Sequence, residues 1–208
     1  MARITVFGSS GDLGTYLKKE LQEKNHIVHA FDRLAIDNLI NTKIQNDNLF
    51  LESDAFIFSI GSFKKKSIKT LKLEEIENEV ESNLTLLIKL TSIICSRLYI
   101  EKKINFIYIG STSAYRGFAN TATYCAAKFG LRGFVESMNA EYANSQIKFS
   151  LVSMGTLKSR MGSTLEDQNP DTFIDISTVG DFVINSALML KEAYISEAII
   201  MRRQIEYK

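Results

Sequence analysis

Short runs of β-branched and aromatic residues alternate along the chain with longer stretches whose apolar positions recur at helical spacing. RITVFG (3–8) predicts a buried strand, and DLGTYLKKELQEKN (12–25) predicts a helix with Leu13, Leu17 and Leu21 on one face. IVHAFD (27–32) and DAFIFSIG (54–61) predict two further strands. The second of these is almost continuously apolar, as a parallel strand covered on both faces must be. A long helix is expected over about residues 73–100, then a strand INFIYIGS (104–111), a helix over about 121–144 and a strand IKFSLVSMG (147–155). TVGDFVINSALML and EAIIMR predict a last helix and a weak closing strand. Segment 33–53 is too short for a full helix–strand–helix excursion, so one element there is expected to be abbreviated. Alternation of this kind predicts an α/β fold with a doubly wound parallel sheet (a Rossmann fold) in a single domain over 1–208. Ligands of such sheets bind outside the carboxyl ends of the strands.

Composition narrows the classes of function. The 208 residues are 45% hydrophobic and 24% charged with a net charge of +1, which gives no electrostatic footprint for nucleic acid or an anionic membrane. No apolar run is long enough to span a bilayer, and the opening MARITVFGSSG lacks the features of a signal peptide. Cys95 and Cys125 make neither a disulfide framework nor a metal site. The expectation is a cytoplasmic protein with reduced thiols, no metal and a small-molecule ligand.

The first strand runs into GSSGDLG, which places Gly8, Gly11 and Gly14 at the opening of the first helix. Glycines at such a turn permit a tight bend, close approach of a pyrophosphate and close helix–strand packing. Ser10, Asp12 and Leu13 share the turn and join the glycines as candidate dinucleotide contacts. Asp32, 18 residues beyond Gly14, closes the second strand, where a carboxylate can accept from both ribose hydroxyls. That carboxylate favours NAD over NADP, while Arg33 next to it is able to hold a 2′-phosphate.

Two Tyr-x-x-x-Lys pairs occur, Tyr124 with Lys128 in TYCAAKFG and Tyr99 with Lys103 in YIEKK. A phenol that moves a proton near neutral pH needs a cation beside it, and a lysine at i+4 on the same helix face supplies one. It also needs a second hydroxyl to orient the substrate oxygen. Ser111, 13 residues before Tyr124, ends a predicted strand at the crevice; the residue 13 before Tyr99 is Leu86, which has no hydroxyl.

With Ser111, Tyr124 and Lys128 in this register, and with Asn83 lying 28 residues before Ser111, the chain resembles the short-chain dehydrogenase/reductase family. The resemblance covers nearly the whole chain and is strongest over about 54–160. It implies an NAD(P)-dependent oxidoreductase interconverting a carbonyl and an alcohol. By this resemblance Tyr124 is the general acid or base and Ser111 holds the substrate oxygen. Lys128 lowers the tyrosine pKa and binds the nicotinamide ribose, and Asn83 supports a proton-relaying water. The family pattern further implies cofactor contacts at Gly61, Gly155, Leu157 and Ser159, and at Asp37 on adenine. Relatives pair through the long helix and the Tyr124 helix, which implies a homodimer or homotetramer.

The chain departs from the family at several points. Asp12 stands where the short branch has its middle glycine, FSIG replaces Asn-Asn-Ala-Gly, and Met154-Gly155 replaces Pro-Gly. Two alternatives stay open on these grounds: a non-catalytic dinucleotide-binding or redox-sensing protein, and a nucleotide-sugar epimerase or dehydratase. A short substrate lid is expected at about 160–176. Tyr115, Arg116 and Phe118 are expected to line the pocket, Lys64–Lys66 to form a solvated loop, and Cys125 to be a packing residue.

Overall fold

A computed structural model describes residues 1–41, 47–99, 101–189 and 192–206. Six strands form one parallel sheet: β1 (Arg3–Phe7), β2 (Ile27–Phe31), β3 (Ala55–Phe58), β4 (Ile104–Ile109), β5 (Ile147–Met154) and β6 (Glu197–Ile200). Their spatial order is β2-β1-β3-β4-β5-β6. The helices are α1 (Asp12–Glu23), α2 (Arg33–Asn41), α3 (Asp47–Glu52), α4 (Leu73–Val80), α5 (Leu86–Cys95), α6 (Ala122–Glu141) and α7 (Ile176–Ala187). The predicted alternation and the doubly wound sheet are thus observed.

Side-chain alternation along the strands gives the sheet two different faces. Ile4, Val6, Ile57, Ile107 and Val152 pack against Leu13, Leu17 and Leu21 of α1 and Val179 and Val183 of α7. The opposite face is aromatic. Phe7, Phe56, Phe58, Phe106, Tyr108 and Phe149 pack against α5 and α6 and against Ile36 and Leu39 of α2. Neighbouring rings on adjacent strands lie close, with Phe58 and Tyr108 stacked at 4.6 Å and Phe7 and Phe58 at 5.1 Å. Polar groups trapped in these layers find partners, as burial requires. Thr5 and Ser53 hydroxyls are 2.8 Å apart, and Tyr108 and Thr91 hydroxyls 2.6 Å apart.

Between β2 and β3 the excursion is abbreviated, as expected: two short helices, α2 and α3, stand there with no strand among the described residues, and positions 42–46 of that segment lie outside them. One expectation needs correction. The long helix is shorter and interrupted: a π turn, Glu81–Thr85, separates α4 from α5, which stops at Cys95. Beyond its end, Ser96 Oγ and Arg97 Nη1 both donate to Ile93 O, at 2.9 and 2.6 Å, satisfying one of its last carbonyls. Among the described residues no helix is long and apolar enough to cross a membrane.

Candidate active site

The carboxyl ends of the central strands open into a cavity of about 530 Å³. Its walls come from the turn before α1, the segments after β3 and β4, the start of α6, the stretch after β5 and residues 201–205. Beyond β4 the backbone stays extended through Ser111 (φ −152°, ψ 156°) and then closes into a short 3-10 turn, Thr112–Ala114. Ser113 N–H donates to Ser111 Oγ at 3.1 Å, which fixes that hydroxyl at the crevice.

Tyr124 and Lys128 sit one turn apart on α6, both buried and both lining the cavity. Ser111 stands close enough to Tyr124 for its hydroxyl to pull the phenol's pKa down. The Lys128 ammonium donates to Ile109 O at 3.1 Å and stands 5.7 Å from the centre of the Tyr124 ring. Phe63 packs edge-on against that ring at 4.9 Å.

Asn83 lies in the π turn, a local widening that often marks functional sites. Its Nδ2 donates to Ser62 O at 2.7 Å and to Glu79 O at 2.9 Å. Its Oδ1 is buried without a partner among the described residues. A β-carbon placed on Gly61 would meet Asn83 Oδ1 at 2.8 Å and Lys128 Nζ at 3.7 Å, so all three share one corner. Asn83, Ser111, Tyr124 and Lys128 therefore gather on one cavity wall.

The electrostatics differ from the expectation that Lys128 lowers the Tyr124 pKa. Burial pushes the Tyr124 phenol up to about 12, with the Ser111 hydrogen bond pulling the other way and Glu79 adding to the rise. Burial pushes the Lys128 ammonium down to about 8. Both groups thus favour their neutral forms more than in water, because burial removes the water that would solvate their charges. Glu79 is a neighbour that no motif indicated. It is 4% exposed, its carboxylate accepts Lys64 N–H at 2.9 Å, and burial raises its pKa.

At the other end, the glycine turn has the shape expected of it. Gly8 has φ +83°, and a β-carbon there would sit 2.3 Å from Ser59 O. A β-carbon on Gly14 would sit 2.1 Å from Gly8 O, so only hydrogen lets α1 pack this close. Gly11, Asp12 and Leu13 line the cavity, and α1 has no side-chain N-cap. Asp12 is not free: Arg160 donates to it from the backbone and from Nε, both at 2.7 Å, and from Nη2 to Ser10 O at 3.1 Å.

Asp32, Arg33 and Asp37 lie outside the cavity lining. Asp32 Oδ1 accepts Ala35 N–H at 2.9 Å and caps α2, while Arg33 Nε contacts both Asp37 oxygens at 3.2 Å. Gly155, Leu157 and Ser159 line the cavity beyond β5. Ser159 Oγ accepts Gly162 N–H at 3.0 Å, which shapes the following turn.

The stretch after Leu157 returns to the sheet at Ile174. Ile174 N–H donates to Thr156 O at 2.9 Å and Lys158 N–H to Ile174 O at 2.8 Å. The enclosed loop is fastened at three places: Arg160 to the glycine turn, Asp167 to Lys65 at 2.7 Å, and Asn169 Nδ2 to Glu206 at 2.8 Å. The lysine run is a solvated loop, as expected, with the Lys64 side chain 54% exposed, and its lysines are also paired. Lys64 and Lys66 both pair with Glu75, and Lys65 reaches across the cavity mouth.

Arg116 and Phe118 line the cavity as expected, but Tyr115 turns away, donating to Glu197 at 2.8 Å. Cys125 is buried beside Thr121 Oγ1 at 3.2 Å, in keeping with a packing role. The residues that motif reasoning missed are Phe63, Lys65, Glu79, Arg160 and Gln168, and no local spacing advertises any of them.

The chain is similar to known proteins. A short chain dehydrogenase family model matches residues 2–170. The 3-oxoacyl-acyl-carrier-protein reductase FabG of Escherichia coli K12 is 27% identical over 144 residues, 69% of this chain and 58% of that protein. The chain spans about half the length of the FabG reductases it matches, 47% in the Vibrio cholerae protein. Carbonyl reductase family member 4 of Xenopus laevis is 23% identical, with 94% of each chain covered. A solved 4-hydroxyisoleucine dehydrogenase complexed with NADH shares the fold at a TM-score of 0.80 and 19% identity, covering 97% of both chains. With the family model spanning most of the sequence and the fold matching throughout, the chain belongs to the short-chain dehydrogenase/reductase family.

Proposed function

We propose that the protein is an NAD(P)-dependent oxidoreductase that interconverts a carbonyl and an alcohol, with Tyr124 as general acid and base. The observation that carries this reading is the gathering of Ser111, Tyr124, Lys128 and Asn83 in the lining of one cavity. The residues fit a dinucleotide: the glycine turn admits close backbone approach, and the uncapped start of α1 offers N–H donors to a phosphate. A carboxylate at Asp12 would repel that phosphate, and the Arg160 guanidinium offsets its charge. Bound there, the nicotinamide would supply or accept the hydride.

The chain's own groups do the rest. Ser111 Oγ orients the substrate oxygen, and Tyr124 Oη gives or takes the proton on that oxygen. Lys128 places a cation on the side of the phenol facing Ile109, where it stabilises a tyrosinate once a further positive charge adds to its effect. The unpartnered Asn83 Oδ1, buried beside Lys128, is the acceptor through which a relay to the lysine would pass. Asp32, exposed at the end of β2, favours a cofactor with a free ribose hydroxyl, since Arg33 is engaged by Asp37. The loop between Leu157 and Ile174 acts as the substrate lid.

A panel of ketones, aldehydes and secondary alcohols, run with NADH, NADPH and their oxidised forms, tests the reading. Turnover by the wild type and its loss in Tyr124→Phe is the expected outcome. Tight dinucleotide binding with no turnover across the panel would instead favour a non-catalytic nucleotide sensor.

A further inference from the structure

We infer that Glu79 is a positioning residue for the proton transfer: it seats Phe63 against the Tyr124 ring and sets a negative charge close to the phenol. This rests on the oxidoreductase reading and deepens it, because it fixes the direction of reaction for which the site is set. Side chains from α4 and the π turn grip the stretch after β3 on both sides of Phe63. Asn83 Nδ2 donates to Ser62 O at 2.7 Å, the Ser82 and Ser62 hydroxyls lie 2.7 Å apart, and Glu79 Oε1 accepts Lys64 N–H at 2.9 Å. Glu79 joins the two sides, since its carbonyl oxygen also accepts from Asn83 Nδ2 at 2.9 Å. Between these bonds the Phe63 ring meets the Tyr124 ring edge-on at 4.9 Å. A wall held in this way is preorganised against the phenol.

Holding a backbone N–H does not by itself call for a carboxylate. A glutamine would accept the same bond without the cost of burying a charge. Glu79 is 4% exposed, and burial raises its pKa. The charged and titratable groups that face it are Lys64 from the stretch after β3 and Tyr124 from α6. Among the described residues no cation forms an ion pair with it, because Lys64 and Lys66 are both taken by Glu75.

The charge acts on Tyr124, where it makes loss of the phenol proton harder. At the alkaline pH where a phenol ionises, the Glu79 carboxylate carries that charge in full. A protonated phenol is the form that carbonyl reduction consumes: the Oη–H bond breaks and the carbonyl oxygen takes the proton, as the carbonyl carbon takes the hydride of the reduced dinucleotide. Alcohol oxidation runs the same transfers backwards and needs the phenolate. Glu79 thus sets the site for reduction near neutral pH and leaves oxidation to alkaline pH.

The test follows carbonyl reduction and alcohol oxidation against pH for wild type, Glu79→Gln, Glu79→Leu and Tyr124→Phe, on one ketone and its alcohol from the panel. In Glu79→Gln the pH of half-maximal oxidation should fall by about half a unit. The phenolate absorbance of Tyr124, read as the difference between each protein and its Tyr124→Phe counterpart, should shift the same way without turnover. Glu79→Leu strands the Lys64 N–H and should lower kcat about 10-fold, while Glu79→Gln keeps the acceptor and should recover most of that loss. Wild-type and Glu79→Gln profiles that superimpose, or an undiminished kcat in Glu79→Leu, overturn the assignment. If Glu79→Leu does not fold, the Glu79→Gln profiles decide alone. Full activity in Tyr124→Phe overturns the catalytic reading instead, and the phenolate titration still reports on Glu79.

Discussion

Asn83, Lys128 and Tyr124 are 0%, 3% and 8% exposed and stand on the π turn and on α6, which pack against the aromatic face of the sheet. The loop between Leu157 and Ile174, proposed above as the cover, is fastened by side chains of another kind: Arg160 is 76% exposed in its pair with Asp12, and Asp167 47% exposed in its pair with Lys65. Floor and cover thus obey different physics. The floor is held by burial and satisfied backbone groups, which hold atoms to tight tolerances. The cover is held by solvated ion pairs, each weak and screened by salt. Chemistry needs the first and exchange of substrate needs the second, so a cavity of this design separates precision from access.

The comparison can be broken most severely at the floor of the nucleotide end. Gly14→Val places a side chain against the Gly8 carbonyl, where even a β-carbon would lie 2.1 Å away. Loss of folding, or destabilisation by more than about 3 kcal/mol in urea titration, is expected. Next comes Lys128→Met, which should lower kcat by about 100-fold or more with substrate and cofactor saturating.

The same substitution probes stability. The ordinary lysine value of 10.5 falls to about 8 in the folded protein. Between those pH values the unfolded chain binds a proton that the folded chain does not, so stability rises with pH. From pH 7 to 9.5 the wild type should gain up to about 2 kcal/mol relative to Lys128→Met. Tyr124, raised to about 12, contributes in the opposite sense only above its unfolded value of 10.0. Equilibrium denaturation of both proteins across that range checks the sign, and a flat difference would contradict it.

Breaking the cover should do less. Arg160→Ala is expected to raise the dissociation constant for dinucleotide by several-fold to about 10-fold, through the uncompensated Asp12 charge, while stability stays within about 1 kcal/mol. Asp12→Asn in the same chain should restore most of the binding, measured by fluorescence titration of the reduced cofactor. Lys65→Ala should have the smallest effect, a change in KM of a few-fold that shrinks at high salt, since its partner Asp167 is exposed.

How far the sequence speaks follows the same division. The strands were legible because runs such as Ala55–Phe58 are buried at every position, which only a strand covered on both faces needs. The nearness of Ser111, Tyr124 and Lys128 was legible because regular elements convert spacing into position, whereas Asn83 was reached only through the family resemblance. Tyr124 and Lys128 share a face at i+4, and β4 delivers Ser111 to the crevice. The π turn was not legible, since one widened turn barely disturbs the apolar periodicity of α4 and α5. The cover was not legible either. Arg160 meets Asp12 across 148 positions and Lys65 meets Asp167 across 102, and no local pattern encodes such pairs. Tyr115 misled for a related reason: its partner Glu197 belongs to another element.

The central claim is that the buried floor carries the proton transfer while the exposed cover governs access. Its most direct test is kcat for Tyr124→Phe beside kcat for Arg160→Ala, on one substrate, with cofactor affinity measured for both. A fall of at least about 100-fold in Tyr124→Phe with near-normal cofactor affinity, against near-normal saturated kcat in Arg160→Ala, is the predicted result. Undiminished turnover in Tyr124→Phe would contradict it.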